Sequence, residues 1–332
     1  MSRSIVALFV LAVAFAQSGY RQIRKINIGG EGGWDYLIAD GSGRVYVSHA
    51  AEVAVVDTKK GEVEGKITGL KGVHGIALAP EFNRGFISNG QGNNVTIFDL
   101  KTLAKIGEEV PAGTNPDGII YDPASKRVFA FNGRSSNATA IDAKTGKVDG
   151  TIALAGKPEF AAADGKGHVY VNLEDKNSVV EIDSKKLSVG HTWPLAPCDG
   201  PSGMAIDTKT HRVFSGCEKM MAVLDADSGK VVTTMPICNG VDATGFDPGT
   251  GYIFHSCGDG TLSVIHEDSP DKFTKVEDIK TQRGARTMAL DPKTHNVYLA
   301  IAEFGPPQAP PGGGRARPTI VPGSFGLLEF GR

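Results

Sequence analysis

The sequence has no surplus of either charge: 35 Lys and Arg stand against 37 Asp and Glu, a formal net charge of −2. No basic excess is available to neutralise a phosphate backbone, which argues against nucleic acid as the partner. Aromatic residues make up 7% of the chain, with two tryptophans, so platforms for stacked bases are scarce as well. After residue 16 no apolar run approaches the about 20 residues that a helix needs to cross a bilayer. There is no Cys-x-x-Cys-His, which excludes covalent c-type haem. Helical periodicity is missing from the same region. No Ser-His-acid arrangement can be placed, and Gly312 to Gly314 lacks the strand–turn–helix setting of a phosphate loop.

The N-terminus is the one long apolar stretch. Arg3 precedes an uninterrupted apolar run, Ile5 to Ala16, that ends in Ala14-Phe15-Ala16. This is the pattern of an export signal cut before Gln17, and the run is too short for a membrane anchor. The expectation is a signal peptide at 1–16 and a mature chain, 17–332, that is periplasmic or secreted and has no membrane span.

What fills the rest is a repeat. An aromatic residue recurs inside a strand-like run at Tyr46, Phe86, Phe129, Tyr170, Phe214, Phe254 and Tyr298, at spacings of 40, 43, 41, 44, 40 and 44. Turns such as Asp122-Pro123, Asp247-Pro248 and Asp291-Pro292 come before it, and a second run ending in an acid (Asp57, Asp99, Asp142, Asp183, Asp225) comes after it. A Gly/Lys turn then leads to a further strand, so each period holds four short strands. One such sheet cannot bury both of its faces, but a ring of them buries each against its neighbour. The seventh period stops after its third strand, Phe325 to Phe330, whereas Arg21 to Ile28 is a spare strand before the first period. The prediction is an all-β, seven-bladed propeller of four-stranded antiparallel blades, a single domain closed by its N-terminal strand in blade seven.

Arg44-Val45-Tyr46-Val47-Ser48, Asn93 to Asp99 and Asp291 to Tyr298 carry a resemblance. The chain resembles the YVTN-repeat β-propellers, the YncE-like group of exported bacterial proteins, over nearly all of its mature length. The resemblance implies the propeller fold and export and assigns no chemistry.

The innermost strand of each blade lines the central channel of a propeller. Counting back from each aromatic by the same number of positions, one fewer in blade four, gives the expected channel mouth: Trp34, His74, Asp117, Glu159, Ser202, Asp242 and Arg286. His74, Asp117, Glu159 and Asp242 offer the nitrogen and oxygen ligands of a divalent metal. The alternatives are a grip on a polar ligand, or simply the wet lining of a funnel. No spacing here is a metal signature, and no cofactor other than such a metal is expected.

Cys198/Cys217 and Cys238/Cys257 have the same separation in sequence and stand at equivalent places in blades five and six. In an oxidising compartment this pattern predicts two intrablade disulfides, with other pairings or a thiol–metal site as alternatives. Blade seven carries a far longer stretch between Tyr298 and Glu329 than the other blades need, and the excess, 305–322, is rich in Pro and Gly. It emerges on the face of the channel mouth, as a lid or docking segment or as a disordered loop. Asn94-Val95-Thr96 and Asn137-Ala138-Thr139 match the glycosylation sequon.

Together these features predict an exported, monomeric scaffold of the cell envelope that binds a small molecule or an envelope protein. The competing prediction is a lactonase-like or lyase-like propeller enzyme with a funnel metal or His74 as base.

Overall fold

The computed structural model describes residues 17–308 and 317–332. The expected export signal, 1–16, and the centre of the Pro/Gly-rich insertion, 309–316, lie outside the described residues.

Seven four-stranded antiparallel sheets form the ring. From the channel outward, blade one runs Trp34–Ala39, Arg44–His49, Glu52–Asp57 and Glu62–Ile67. The innermost strands of blades two to six are Val73–Ala79, Pro116–Asp122, Pro158–Ala163, Met204–Asp207 and Val241–Asp247. Blade seven has Met288–Leu290, Val297–Ile301 and Gly326–Gly331, and its outer strand is Arg21–Asn27 from the other end of the chain. The pairing runs from Arg21 opposite Gly331 to Asn27 opposite Gly326, and Ile26 is thereby buried. The ring closes as the repeat predicts, by satisfying the edge that the seventh repeat leaves open.

The seven aromatics of the repeat are all buried, and each sits inside its blade's second strand. They belong to apolar clusters that lie between blades. One joins Ala77, Phe86 and Val95 of blade two to Ile119, Val128 and Ile141 of blade three. Seven such clusters correspond to the seven blade interfaces, which is why no single sheet needs a core of its own. The acids of the repeat are turn caps. Asp57 Oδ1 accepts the backbone N–H groups of Lys59 and Lys60, and Asp99 Oδ1 those of Lys101 and Thr102. Asp247 Oδ1 does the same for Gly249 in the Asp-Pro turn.

The cysteines are joined as Cys198–Cys217 and Cys238–Cys257, with Cα separations of 5.6 and 5.9 Å. Each ties the connection entering a blade to the end of that blade's second strand, on the face of the channel mouth. The described part of the insertion is a two-stranded ribbon, Phe304–Gln308 against Arg317–Ile320.

Candidate functional site

The channel mouth is built from bulges. Pairing between the first and second strands slips between Trp34 and Leu37, Val73 and Ile76, Pro116 and Ile119, Pro158 and Ala161, and Val241 and Ala243. A bulge frees a residue from the ladder and turns its side chain. The freed residues are Asp35, His74, Asp117, Glu159 and Asp242. Second-strand serines satisfy the backbone groups left over: Ser48 Oγ accepts from Asp35 N at 3.1 Å, and Ser88 Oγ accepts from Gly75 N at 2.8 Å. Ser88 Oγ also donates to the Asp117 carbonyl at 2.5 Å, which stitches blade two to blade three.

Two glycines bring these blades close. A Cβ on Gly75 would stand 2.9 Å from the Asp117 carbonyl oxygen, and one on Gly118 would stand 2.8 Å from that of Glu159. At the same position blades one and four carry Tyr36 and Phe160. These rings meet across the channel with centroids 4.5 Å apart and close it below the mouth. Beneath them an apolar cavity of about 200 Å³ is lined by Ile76, Ile119, Met288 and their neighbours.

The mouth therefore has a floor, and charge collects on it. His74 Nδ1 lies 2.5 Å from Asp35 Oδ2 and 3.5 Å from Asp117 Oδ1. One ligand atom from each of these three residues lies within 4.8 Å of the others, the one such group among the described residues. This geometry could hold a metal ion through one nitrogen and two oxygens. Glu159 and Asp242 answer to other partners. Lys157 Nζ is 2.9 Å from Glu159 Oε1, and Arg286 Nη1 is 3.6 Å from Asp242 Oδ1. Ser202 Oγ donates to the Asp242 carbonyl at 3.1 Å.

Burial raises the carboxyls. Desolvation lifts Asp117 to about 6, with the Asp35 charge adding to it and His74 opposing it. Desolvation likewise lifts Asp242 to about 6 against the pull of Arg286. Glu159 reaches about 7 through burial and the neighbouring Asp117 charge. Burial works against a charged His74, but the Asp35 hydrogen bond and the Asp117 and Asp35 charges outweigh it and carry the imidazole above its ordinary range. Tyr36 is pushed well up by burial and by the four carboxylates above it. Four carboxyls with too little positive charge among them favour the arrival of a cation.

Of the seven expected mouth positions, Trp34 is corrected. Its partly buried ring packs against Phe325 and Phe304 at 5.4 and 6.2 Å, at the margin of the cluster between blades seven and one. Asp35 stands at the mouth instead. Blade one enters its second strand through Asp40-Gly41-Ser42-Gly43, which matches Asp164-Gly165-Lys166-Gly167 of blade four, so the count back from Tyr46 is the shorter one that applies to blade four. That likeness is the signal that would have found Asp35. Of the expected metal ligands, His74 and Asp117 converge with Asp35, while Glu159 and Asp242 are held apart by Lys157 and Arg286. The ribbon flanks the mouth: the Phe304 ring, itself exposed, lies against Gly284, where a Cβ would come within 2.7 Å of it.

Toward blades four to six the mouth widens into a cavity of about 530 Å³ lined by Glu159, Glu174, Asp199, Glu218, Asp242 and Arg286, among others. Lys157 spans Glu159 and Glu174, the latter at 2.5 Å. Neither Lys157 nor Glu174 sits at a repeat position, and sequence reasoning did not reach them.

No protein-family model and no curated protein matches the chain. Solved structures do. Kuenenia stuttgartiensis hydrazine synthase superposes with a TM-score of 0.71 at 14% identity, over 88% of this chain and 95% of that one. A chain from the crystal structure of a mitotic checkpoint complex superposes with a TM-score of 0.72 at 15% identity, over 90% and 93%. At such identities the likeness is one of fold, the seven-bladed propeller. No helix among the described residues is long and apolar enough to cross a membrane.

Proposed function

We propose that this protein is an exported binding propeller of the YVTN-repeat, YncE-like kind, acting as a scaffold in the cell envelope, and that its ligand enters the channel mouth carrying positive charge. The ligand class is a divalent cation, or a molecule that presents a cationic group. The observation that carries the reading is the convergence of Asp35, His74 and Asp117 from three successive blades, above a channel that Tyr36 and Phe160 close. The two disulfides are compatible with export. Asp117, raised by burial, would ionise fully when a cation arrives, so binding and deprotonation are coupled.

The test is a thermal-shift screen with Ca²⁺, Mg²⁺, Mn²⁺ and Zn²⁺ on the protein and on an Asp35→Asn/Asp117→Asn variant. A cation at 100 times its Kd stabilises by about 2.7 kcal/mol, and the variant should lose that gain. Stabilisation of equal size in both proteins would place the cation elsewhere, and no stabilisation by any of the four would remove the metal reading.

One observation favours a second reading, that of a lactonase-like or lyase-like enzyme. The Glu159 carboxyl, lifted to about 7, is poised as a general base beside the proposed cation site. Turnover abolished by Glu159→Gln with cation binding intact would select it.

A further inference from the structure

Three of the chain's eight histidines meet far from the channel. His168 opens the second strand of blade four (His168–Leu173) and His191 lies in the outer strand of the same blade (Ser188–Pro194). His211 precedes the second strand of blade five (Arg212–Cys217). With Asp164, Glu181 and Trp193 they line a lateral cavity of about 240 Å³ between the two blades.

The hydrogen bonds fix how His168 is presented. Asp164 Oδ1 accepts the backbone N–H groups of Lys166, Gly167 and His168 at 2.7, 3.0 and 3.0 Å. Its Oδ2 is 2.9 Å from His168 Nδ1. A carboxyl that accepts three backbone donors through one oxygen is placed to accept from the imidazole through the other. His168 therefore donates through Nδ1, and its Nε2 lone pair points the other way. There it meets Glu181 Oε1 at 3.6 Å. At that distance the two atoms face each other across the pocket without a direct hydrogen bond. Ligands at about 2.1 Å from a tetrahedral metal stand about 3.4 Å apart, so this separation is close to that of two coordinating atoms. A carboxylate behind the far nitrogen of the imidazole is the arrangement that orients metal-ligating histidines.

The other Glu181 oxygen, Oε2, is 2.6 Å from His191 Nδ1. The His191 side chain is 66% exposed and can turn on its strand. His211 plays a different part: its Nε2 accepts from Lys166 Nζ at 2.7 Å and its Nδ1 faces Asp227 Oδ1 at 2.9 Å, so both nitrogens are engaged.

We propose that the lateral pocket between blades four and five binds a divalent transition metal of the imidazole-preferring kind, such as Zn²⁺ or Cu²⁺, through His168 Nε2, the Glu181 carboxylate and His191. His191 coordinates as a neutral imidazole, one nitrogen on the metal and its proton on the other, and any further proton between His191 Nδ1 and Glu181 leaves to solvent. His168 Nε2 and Glu181 Oε1 are 3.6 Å apart, whereas the three residues together do not meet the 4.8 Å spacing of the mouth group, so His191 has to turn toward His168 to complete the set. Two imidazoles to one carboxylate suit zinc and copper, in contrast to the two carboxylates and one imidazole of the mouth. The site stands independently of the mouth reading.

Trp193 supplies the readout because it lines the same pocket, its indole stacked in the metal-free protein on His191 with centroids 5.3 Å apart. Cu²⁺ is titrated into the full protein at pH 7.5 while tryptophan emission is followed, and Zn²⁺ is titrated by calorimetry. Expected are saturable quenching by one equivalent of Cu²⁺ that is absent from Trp193→Phe, and a Kd for both metals that weakens at least tenfold in His168→Ala and in His191→Ala. Asp35→Asn/Asp117→Asn should leave this binding unchanged. Both histidines are substantially exposed, and circular dichroism melts verify that the variants are folded. The proposal is overturned if Trp193 is not quenched saturably, if either histidine variant keeps the wild-type Kd, or if the mouth variant abolishes the effect.

Discussion

Blades two and three and blades five and six brace the same position with different chemistry. The last residue of the second strand is Asn89 or Asn132 in the first pair of blades and Cys217 or Cys257 in the second. Asn89 Nδ2 donates to Asn94 Oδ1 and Thr96 Oγ1, both at 2.8 Å. Asn132 repeats this with Asn137 and Thr139 at 2.7 and 3.0 Å. In blades five and six the brace is a disulfide that reaches outward to the incoming connection. The amide brace holds strand two to strand three, and the disulfide brace holds the loop above the mouth. Blades two and three supply His74 and Asp117, where a bound ion would itself tie the blades together. Blades five and six supply Ser202 and Asp242 beside the wider part of the mouth, and there the loops are held covalently. The amide braces also account for the two sequon-like triplets. Thr96 and Thr139 are buried, and their hydroxyls, like Asn94 and Asn137, belong to these braces.

The largest effect should come from the covalent brace. Each disulfide spans a sequence separation of 19, and a loop of that length is worth about 3 kcal/mol in the chain-entropy account. Cys217→Ser/Cys257→Ser should lower the midpoint of chemical unfolding accordingly, whereas reductant should change nothing further in that variant. If wild type unfolds at the same denaturant concentration with and without reductant, the disulfides are not the stronger brace.

The amide brace should be worth less. Asn132→Ala removes two hydrogen bonds and leaves Asn137 and Thr139 short of a donor, at a cost of about 1–3 kcal/mol. Asn132→Asp keeps the size but replaces the donating amide with acceptors, and should cost at least as much. Equal stability of wild type, Asn132→Ala and Asn132→Asp in urea melts would show that the brace is decorative.

The smallest effect separates the braces from the mouth. Neither amides nor disulfides titrate between pH 4 and 8, whereas Asp117, Asp242 and Glu159 are raised by burial to about 6, 6 and 7. A carboxyl that binds its proton more tightly folded than unfolded stabilises the fold at low pH, and that contribution is lost as pH rises through the folded value. His74, also raised, acts in the same direction: its stabilisation is present below its unfolded pKa and is lost above the folded one. Glu267, raised by burial to about 7, acts in the same direction, and His255, lowered by burial to about 3, opposes them below neutral pH, so melting temperature should fall gently from pH 5 to pH 8 in metal-free buffer. Asp117→Asn/Glu159→Gln should flatten the slope, and the two brace variants should keep it. A slope unchanged in the mouth variant would trace the titration to other groups, Glu267 first among them.

Much of the molecule could be read along the chain because a propeller is nearly one-dimensional. Each strand meets the next one in sequence, so the spacing of the aromatics gave seven blades and the missing fourth strand gave the closure by Arg21–Asn27. The pairing of the cysteines followed from equal separations at equivalent positions. The family resemblance pointed to the same fold and to export, and fold alone is what the structural neighbours share with the chain.

Two things were decided only by the folded ring. The first is register. Side chains along a strand alternate between faces, so a turn shorter by one residue moves an assignment to the wrong neighbour, and Trp34 packs against the cluster between blades seven and one while Asp35 takes the mouth. The second is meeting across space. Tyr36 and Phe160 touch because blades one and four lie on opposite sides of one channel, and His168, Glu181 and His191 share a pocket because their three strands pair side by side in one blade. A sequence determines local hydrogen-bonding periods, since these depend on backbone geometry and nearest neighbours. Which side chains converge depends on bulges, twist and the closure of the ring, and these exist only once every blade has packed against the next.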